Sequence, residues 1–402
     1  MKYIVMLGDG MADYPIESLG GRTPLQAAKK PNIDRLAKYG EMGMVKTVPD
    51  GMKPGSDVAN LAAMGYDPQS CYTGRSPLEA VSIGIQMNDT DVAFRCNLVT
   101  LSDEPEYADK TMVDYSSGEI TTEEAAQLIQ AVDQAFRTED ILFYPGISYR
   151  HCMIWHKGPV GLDLTPPHDI SDRKVTGYLP GNPVILDLMR RSYQILKDHP
   201  VNQARIARGL NPANSIWLWG EGTRPGVTRF EAAYGVKGSV ISAVDLIKGI
   251  GLCAGMKVIE VEGATGNIDT NFRGKGQAAL DTLLEGQDLV YIHVEAPDEC
   301  GHHGDLEGKI RSIELIDSEI VGPLLEGLEK AGEPYSILVM PDHPTPIAIK
   351  THIADPIPYL LYRSGQETES GADTYNEVTA AASGRFEAEG YRLMEKLLGR
   401  QP

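Results

Sequence analysis

Short apolar runs alternate with helix-like stretches along the chain. The apolar runs at residues 3–7, 289–294 and 336–341 have the length of buried strands. Helix-like patterns are found at residues 23–40, 56–65, 121–137 and 309–331. Thr121 and Glu124 form a capping-box pattern at the start of the third helix. Because strands that alternate with helices are typical of βαβ construction, the sequence predicts an α/β fold with a mainly parallel sheet.

The composition changes in the middle of the chain. Residues 103–110 are polar and turn-like, and residues 157–183 are rich in proline and glycine. One helix and several strand-like pieces lie between these two stretches. We interpret residues 111–177 as a small inserted domain within a larger α/β domain made of residues 1–110 and 178–402. A single domain with a long excursion is the alternative.

Each of the three apolar runs is followed by side chains that can bind a metal ion. Asp9 follows the first run, Asp298 follows the second, and Asp342 with His343 follows the third. Open α/β sheets place their ligands at the carboxyl ends of the strands. The sequence therefore predicts a metal site at this edge of the sheet. A capping aspartate and a structural histidine are the alternative for Asp342 and His343.

Histidines are concentrated in the same part of the chain. Of the 9 histidines, five lie between residues 293 and 352. Asp298 and His302 are four positions apart, so a helix would place both on one face, where they can share a divalent ion. A loop with a solvated aspartate and a packed histidine is the alternative. His352 adds another imidazole nine residues after His343.

Ser56 lies at the start of a predicted helix, in the segment Pro-Gly-Ser-Asp. A serine here is usually an N-cap. It can also be a nucleophile at the positive end of the helix, where backbone N–H groups hold phosphate. The sequence contains no G-x-S-x-G elbow, no phosphate-binding P-loop and no G-x-G-x-x-G motif.

The net charge of −19 and the isoelectric point near 4.9 disfavour nucleic acid and anionic membranes as partners. No stretch approaches the roughly 20 apolar residues that span a bilayer. The five scattered cysteines predict reduced thiols in a cytoplasmic protein. In such an acidic chain, Arg75, Arg95, Arg150, Arg273 and Lys275 are candidates for binding phosphate.

Several of these motifs, in this order, resemble one family. They are Gly8-Asp-Gly-Met11, Pro-Gly-Ser56-Asp, Thr-Gly-Arg75-Ser-Pro, Tyr149-Arg-His151, Asp269-Thr-Asn-Phe-Arg-Gly-Lys275, Asp298-x-x-x-His302, Asp342-His343 and Thr351-His352-Ile-Ala-Asp-Pro356. The chain is similar to the archaeal-type 2,3-bisphosphoglycerate-independent phosphoglycerate mutases of the alkaline phosphatase superfamily. The resemblance runs nearly end to end. It implies an alkaline-phosphatase-like sheet flanked by helices, with a small inserted α+β domain.

The resemblance also implies a site with two divalent ions, which are manganese, zinc or magnesium. One ion would be held by Asp298, His302 and His352, and the other by Asp9, Ser56, Asp342 and His343. Ser56 would be the phosphorylated nucleophile, and Lys275 would neutralise charge on the transferring group. Arg75, Arg150 and His151 would hold the small phosphorylated substrate, and the inserted domain would exclude water from the phosphoserine.

The implied reaction interconverts 3-phosphoglycerate and 2-phosphoglycerate through a phosphoserine. Pro344 stands where many mutases of this type have serine, and this variant is similar to a bacterial branch proposed to act as a homoserine kinase. A kinase-like phosphotransferase with the same metal and serine machinery is therefore the alternative. A metal-dependent phosphatase or a non-catalytic binding protein are further alternatives. The sequence makes no prediction of the oligomeric state.

Overall fold

The computed structural model describes residues 1–367 and 369–400. The chain divides into two compact units. Unit 1 consists of Met1–Tyr72 and Gly226–Pro402, and unit 2 consists of Thr73–Pro225. Unit 2 is therefore one continuous segment, and the two segments of unit 1 precede and follow it in the chain.

In the described residues, the strands are β1 Lys2–Gly8, β2 Glu41–Val45, β3 Asp91–Leu101, β4 Met112–Asp114, β5 Ile141–Tyr144, β6 Arg150–His156, β7 Ser215–Thr223, β8 Gly238–Ile241, β9 Lys257–Val258, β10 Leu289–Val294, β11 Tyr335–Met340, β12 Ile357–Arg363 and β13 Phe386–Glu387. The α-helices are α1 Pro24–Ala27, α2 Pro31–Tyr39, α3 Ser56–Ala63, α4 Pro68–Cys71, α5 Ser76–Ser82, α6 Thr122–Phe136, α7 Pro183–Leu196, α8 Pro200–Ala207, α9 Phe230–Tyr234, α10 Asp245–Cys253, α11 Phe272–Leu284, α12 Ala296–His303, α13 Leu306–Leu315, α14 Gly322–Ala331, α15 Glu377–Ala382 and α16 Arg392–Leu397.

Unit 1 is built around an 8-stranded sheet with the order β13-β2-β12-β11-β1-β10-β8-β9. The run from β11 to β9 is parallel, and β12 is antiparallel to both β11 and β2. All residues of β10 and β11 are buried, as is usual for parallel strands that helices cover on both faces. The predicted mainly parallel α/β fold is confirmed.

The register of the central strands determines which side chains meet at their carboxyl ends. Leu7 of β1 pairs with His293 of β10 on one side and with Met340 of β11 on the other. The chain leaves the sheet at the same level after all three strands. Asp9 and Asp342 therefore follow neighbouring strands and share this edge.

Unit 2 contains a 5-stranded antiparallel sheet in which β3 pairs with β4, β6 and β7, and β5 pairs with β6. Its core includes residues of α6 and α7 packed against the sheet. The predicted insertion at residues 111–177 lies inside this unit, but its bounds are too narrow. The reason is that β3 and β7, which flank that segment, are hydrogen-bonded into the same sheet as β6.

The structure modifies two of the predicted helices. Residues 23–40 form α1 and α2 with a break at Ala28, because Pro31 begins a new helix and the residue before a proline disfavours helical geometry. Residues 309–331 contain a π-helical segment, Ile316–Val321, between α13 and α14. Thr121 accepts a hydrogen bond from the Glu124 amide, as predicted for the cap of α6. Among the described residues, no helix is both long and apolar enough to cross a bilayer.

Candidate active site

The predicted metal ligands lie together at the carboxyl edge of the unit 1 sheet. Asp9 follows β1, Asp342 and His343 follow β11, and Asp298 and His302 lie on α12, which begins just after β10. The helical spacing predicted for Asp298 and His302 is confirmed, since His302 Nε2 lies 3.1 Å from Asp298 Oδ2. The residues form two adjacent clusters.

The inner group consists of Asp9, Asp342 and His343, all of which are buried. His343 Nε2 lies 3.6 Å from Asp9 Oδ1 and 3.3 Å from Asp342 Oδ2. Burial lowers the pKa of His343, which favours the neutral imidazole that binds metal ions. Burial and the nearby carboxylates of Asp342 and Asp298 raise the pKa of Asp9 well above its usual range. A cation between these groups would offset their repulsion.

Hydrogen bonds from outside the inner group fix the Asp342 carboxylate. The Gly10 amide donates to Oδ1 at 3.1 Å, and Asn60 Nδ2 donates to Oδ2 at 2.8 Å. Asn60 is in turn held by the Tyr291 hydroxyl, which donates to Asn60 Oδ1 at 2.6 Å. Gly10 has a φ of 61°, and a Cβ at this position would lie 2.8 Å from Asp298 Cα, so only glycine fits here.

The outer group consists of Asp298, His302 and His352. The two imidazole Nε2 atoms are 2.9 Å apart, and His352 Nε2 lies 3.4 Å from Asp298 Oδ1. Tetrahedral ligands about 2.0–2.1 Å from a zinc ion would be separated by about 3.3 Å. Hydrogen bonding to Asp298 raises the pKa of His302 to about 9. Burial alone would raise the pKa of Asp298, but hydrogen bonds from both histidines lower it.

Thr345 connects the two groups. Its hydroxyl donates a short hydrogen bond to Asp298 Oδ1 and lies 3.3 Å from His343 Nδ1. Since the hydroxyl proton is given to Asp298, the oxygen can accept from Nδ1–H of His343. That arrangement leaves the His343 Nε2 lone pair directed toward the inner group.

Ser56 is the first residue of α3, and Gly55 occupies the N-cap position. No side chain of the described residues caps this helix, so the ordinary N-cap interpretation of Ser56 does not hold. The half-buried Ser56 hydroxyl instead lies 3.2 Å from His343 Nε2. A hydroxyl at the positive end of a helix and beside candidate metal ligands is well placed to act as a nucleophile.

One buried atom tests whether this site fits metal ions. Asp9 Oδ1 is buried and has no hydrogen-bond partner among the described residues, although such atoms are costly to leave unpaired. It faces His343 Nε2 in the inner group. Carboxylates and imidazoles are the donors that divalent ions such as manganese, zinc and magnesium bind in proteins. The residues present therefore fit divalent ions.

Comparison with known proteins identifies the family. The family described as 2,3-bisphosphoglycerate-independent phosphoglycerate mutase matches residues 37–202. A protein of Geobacter sulfurreducens named probable 2,3-bisphosphoglycerate-independent phosphoglycerate mutase is 50% identical over 403 residues, which cover 100% of each chain. A mutase of the same name from Methanothrix thermoacetophila is 50% identical over 401 residues, covering 99% of this chain and 100% of its own. The chain belongs to the 2,3-bisphosphoglycerate-independent phosphoglycerate mutase family.

Solved structures agree with this assignment. A cofactor-independent phosphoglycerate mutase from Thermoplasma acidophilum has a TM-score of 0.69 and 26% identity, covering 99% of each chain. A protein from Pyrococcus horikoshii has a TM-score of 0.83 and 28% identity, covering 100% of this chain and 98% of its own. The resemblance found in the sequence motifs is thus confirmed for the family.

Lys275, the predicted charge-neutralising residue, is buried in unit 1 of this phosphoglycerate mutase family member. Its ammonium group donates to the backbone carbonyl of His293 at 3.2 Å. Burial lowers the pKa of Lys275 to about 8, and Glu295 partly opposes this shift. The pKa of Lys275 is therefore closer to neutral pH than that of an exposed lysine, and a nearby anion would favour its charged form.

The candidate substrate residues lie in unit 2. Arg150 and His151 are consecutive on β6, and their side chains point to opposite faces of the sheet. Arg150 is exposed, whereas His151 is buried and accepts from the Gly146 amide at 3.0 Å. Burial lowers the pKa of His151 to about 3. The two side chains do not converge on one surface.

The face of unit 2 that carries Arg150 also carries a second arginine. Arg95 lies 2.9 Å from Glu79, and its guanidinium carbon is 4.4 Å from the centre of the Trp219 ring. Arg75, at the start of α5, lies 2.7 Å from the same Glu79 carboxylate group. Arg75 and Arg95 therefore share one carboxylate as a partner.

Residues that hold the candidate ligands were not predicted from the sequence. They are Asn60, Tyr291, His293 and Thr345. Asn60 carried a usable signal, because it lies four positions after Ser56 on the same helix face. Thr345 and His293 contact the candidate ligands because of the strand register and the path of the loops, and no local sequence pattern indicates these contacts.

Proposed function

We propose that the chain interconverts 3-phosphoglycerate and 2-phosphoglycerate through a phosphoserine at Ser56. The observation that carries this proposal is the position of the Ser56 hydroxyl. It lies at the start of α3, does not cap that helix, and is 3.2 Å from His343 Nε2. A helix N-terminus also favours the negative charge of a phosphoryl group.

Two divalent ions, manganese, zinc or magnesium, would be held by the inner group with Ser56 and by the outer group. When bound, such ions lower the pKa of a coordinated hydroxyl and neutralise the charge of a phosphoryl group. Two observations support this assignment: Asp9 Oδ1 lacks a hydrogen-bond partner within residues 1–367 and 369–400, and the Nε2 atoms of His302 and His352 face each other. Lys275 would add a further positive charge at the same sheet edge.

The proposed reaction has two phosphoryl transfers. Ser56 Oγ forms a bond to phosphorus as the bond from phosphorus to the C3 oxygen breaks, and the serine proton is transferred to that oxygen. The C2 hydroxyl then attacks the phosphoserine, the bond to Ser56 Oγ breaks, and the serine regains a proton. Splitting the transfer in this way needs no second phosphoglycerate and no nucleotide.

The same machinery would serve the homoserine kinase alternative that Pro344 raises. The full-length relatives named as phosphoglycerate mutases, at 50% identity, support the mutase. An assay with both substrates can determine whether glycerate or homoserine accepts the phosphoryl group. Purified protein with manganese should convert 3-phosphoglycerate to 2-phosphoglycerate without 2,3-bisphosphoglycerate or ATP, as followed by phosphorus NMR. Formation of phosphohomoserine from homoserine and ATP, with 3-phosphoglycerate inert, would contradict the mutase proposal.

Replacement of Ser56 tests the nucleophile. Ser56→Ala should reduce turnover to the background rate, because no other hydroxyl replaces the attacking oxygen. The fold should persist, since Ser56 makes no capping bond. The matched control is Ser70→Ala, which removes an exposed hydroxyl that donates to the Asp67 carbonyl at 2.9 Å and should leave turnover unchanged. Peptide mass spectrometry of quenched wild-type enzyme should find phosphate on Ser56. Turnover of Ser56→Ala near the wild-type rate would exclude Ser56 as the nucleophile.

Binding of the glycerate by Arg75, Arg150 and His151 stays a prediction, as does location in the cytoplasm. Arg150 and Arg75 are both exposed, but Arg75 is already paired with Glu79 and His151 is buried, so Arg150 is the most suitable of the three for an anionic ligand. The cysteines are all free and buried, which is consistent with a reducing compartment.

A further inference from the structure

His293 is a buried histidine at the candidate metal centre that belongs to neither group of ligands. It lies at the end of β10, between β1 and β8. The register pairs it with Leu7, two residues before Asp9, and places it next to Ser242, which directly follows β8. Side chains from three neighbouring parallel strands thus lie in a row across the sheet edge.

The hydrogen bonds in this row have a defined direction. Ser242 Oγ accepts from the Val244 amide at 3.0 Å, so its own proton is available for His293 Nδ1, 3.2 Å away. The other ring nitrogen, Nε2, lies 3.0 Å from Asp9 Oδ2. A neutral imidazole that accepts from Ser242 at Nδ1 carries its proton on Nε2, so Nε2–H donates to Asp9. Ser242 thereby selects the histidine tautomer.

This contact accounts for one oxygen of Asp9 and leaves the other for a metal ion. Oδ2 is held by His293, whereas Oδ1 faces His343 Nε2 and has no hydrogen-bond partner in the residues that the structure describes. A carboxylate fixed through one oxygen presents the second in a single orientation. Groups that orient a ligand in this way typically change metal affinity about 10- to 100-fold when they are removed.

We propose that His293 and Ser242 form a positioning pair that fixes Asp9 for the ion of the inner group. The inference rests on the proposed metal centre but goes beyond its ligand set. His293 is a positioning residue because it acts through Asp9 and is not one of the proposed ligands. The hydrogen bonds that the structure describes for its ring go to Ser242 and Asp9 and to no residue of the outer group, so we expect its effect to fall mainly on one ion.

The test is a calorimetric titration of metal-stripped protein with manganese. In the wild type it should resolve two classes of manganese-binding site, one for each group of ligands. His293→Asn shortens the side chain and removes the donor at the Nε2 position, so it should weaken one class about 10- to 100-fold. The other class should be unchanged. His293→Gln keeps an N–H at the reach of Nε2 and should recover most of the affinity.

Ser242→Ala provides a second variant that removes only one hydroxyl. It should weaken the same class of ion as His293→Asn, by a smaller factor. Its matched control is Ser239→Ala, because Ser239 is buried in β8, three residues before Ser242, and its hydroxyl has no hydrogen-bond partner within the described part of the chain. The control should leave both classes unchanged.

The possible outcomes separate this inference from the proposed function. Unchanged affinities in His293→Asn and Ser242→Ala, with two ions bound by the wild type, would overturn the positioning role alone. Equal weakening of both classes would overturn it as well, because it would indicate a general structural effect. A wild type that binds fewer than two ions would contradict the metal centre itself.

Discussion

The inner and outer groups lie side by side but differ in exposure. The side chains of Asp342 and His343 are 0% exposed, whereas those of His302 and His352 are 31% and 23% exposed. The inner carboxylates are each fixed by neighbouring groups, His293 for Asp9 and Asn60 with Gly10 for Asp342. In the outer group, the imidazole of His302 is held by the backbone carbonyl of Lys350, at 3.0 Å from Nδ1.

This difference has a chemical consequence. A buried, preorganised group cannot replace a lost ligand with water, whereas a partly exposed group can. The inner group also contains the histidine that contacts Ser56, so its geometry bears directly on the nucleophile. We therefore expect the inner group to bind its ion tightly and the outer group to exchange its ion with solvent more readily.

The largest expected effect is a loss of turnover when one ligand of each group is replaced, and its rescue by manganese should differ between the two groups. Asp342→Asn removes a buried charge, and several kcal/mol of charge stabilisation corresponds to roughly a 1000-fold loss of turnover. Excess manganese should not restore this activity. His352→Ala leaves a gap that water can enter, so millimolar manganese should restore much of its activity. Steady-state assays across a manganese titration measure both. Equal rescue of the two variants would contradict the difference between the groups.

Replacing Thr345 should have a smaller effect on metal binding, but one that involves both groups. Its hydroxyl contacts Asp298 of the outer group and His343 of the inner group. Thr345→Val keeps the shape of the side chain but removes the hydroxyl, and it should weaken both classes of manganese by about 10-fold or more. Thr345→Ser keeps the hydroxyl and should remain close to wild type. Calorimetric titration of the metal-stripped variants measures the two affinities. Weakening of a single class would show that Thr345 does not connect the groups.

The sequence predicted those parts of this site that depend on local spacing. The strand at 289–294 is observed with these bounds, and Asp298 and His302 fall on one helix face because four residues make about one turn. The apolar runs also placed Asp9 and Asp342 at the same edge. These features follow from hydrophobic periodicity and from the general construction of parallel sheets.

Features that depend on contacts between distant segments were not predictable. The insertion predicted at residues 111–177 is narrower than unit 2, because β3 and β7, which are more than 100 residues apart in sequence, pair in that unit. The role of His293 requires the register of β1, β10 and β8, which no local pattern specifies. The opposed orientations of Arg150 and His151 do follow from a local rule, because consecutive side chains on a strand point to opposite faces of the sheet.

The smallest expected effect concerns the backbone that supports the outer group. Lys350 has a φ of 59°, a left-handed conformation that costs residues other than glycine about 1–2 kcal/mol. In this conformation its carbonyl accepts from His302 Nδ1, which leaves Nε2 free for the outer ion. Lys350→Val should disfavour the conformation further, because β-branched side chains are the least tolerant of it.

Lys350→Gly is the matched control, because it also removes the lysine charge but adopts the left-handed conformation without strain. Lys350→Val should weaken the outer class of manganese several-fold and leave the inner class unchanged, whereas Lys350→Gly should bind both classes as the wild type does. The difference between the two variants isolates the backbone, since neither keeps the ammonium group. Equal affinities in the two variants would show that the Lys350 carbonyl does not orient His302. Equal weakening in both would assign the effect to the lost charge, and the outer group would then depend on electrostatics more than on the path of its loop.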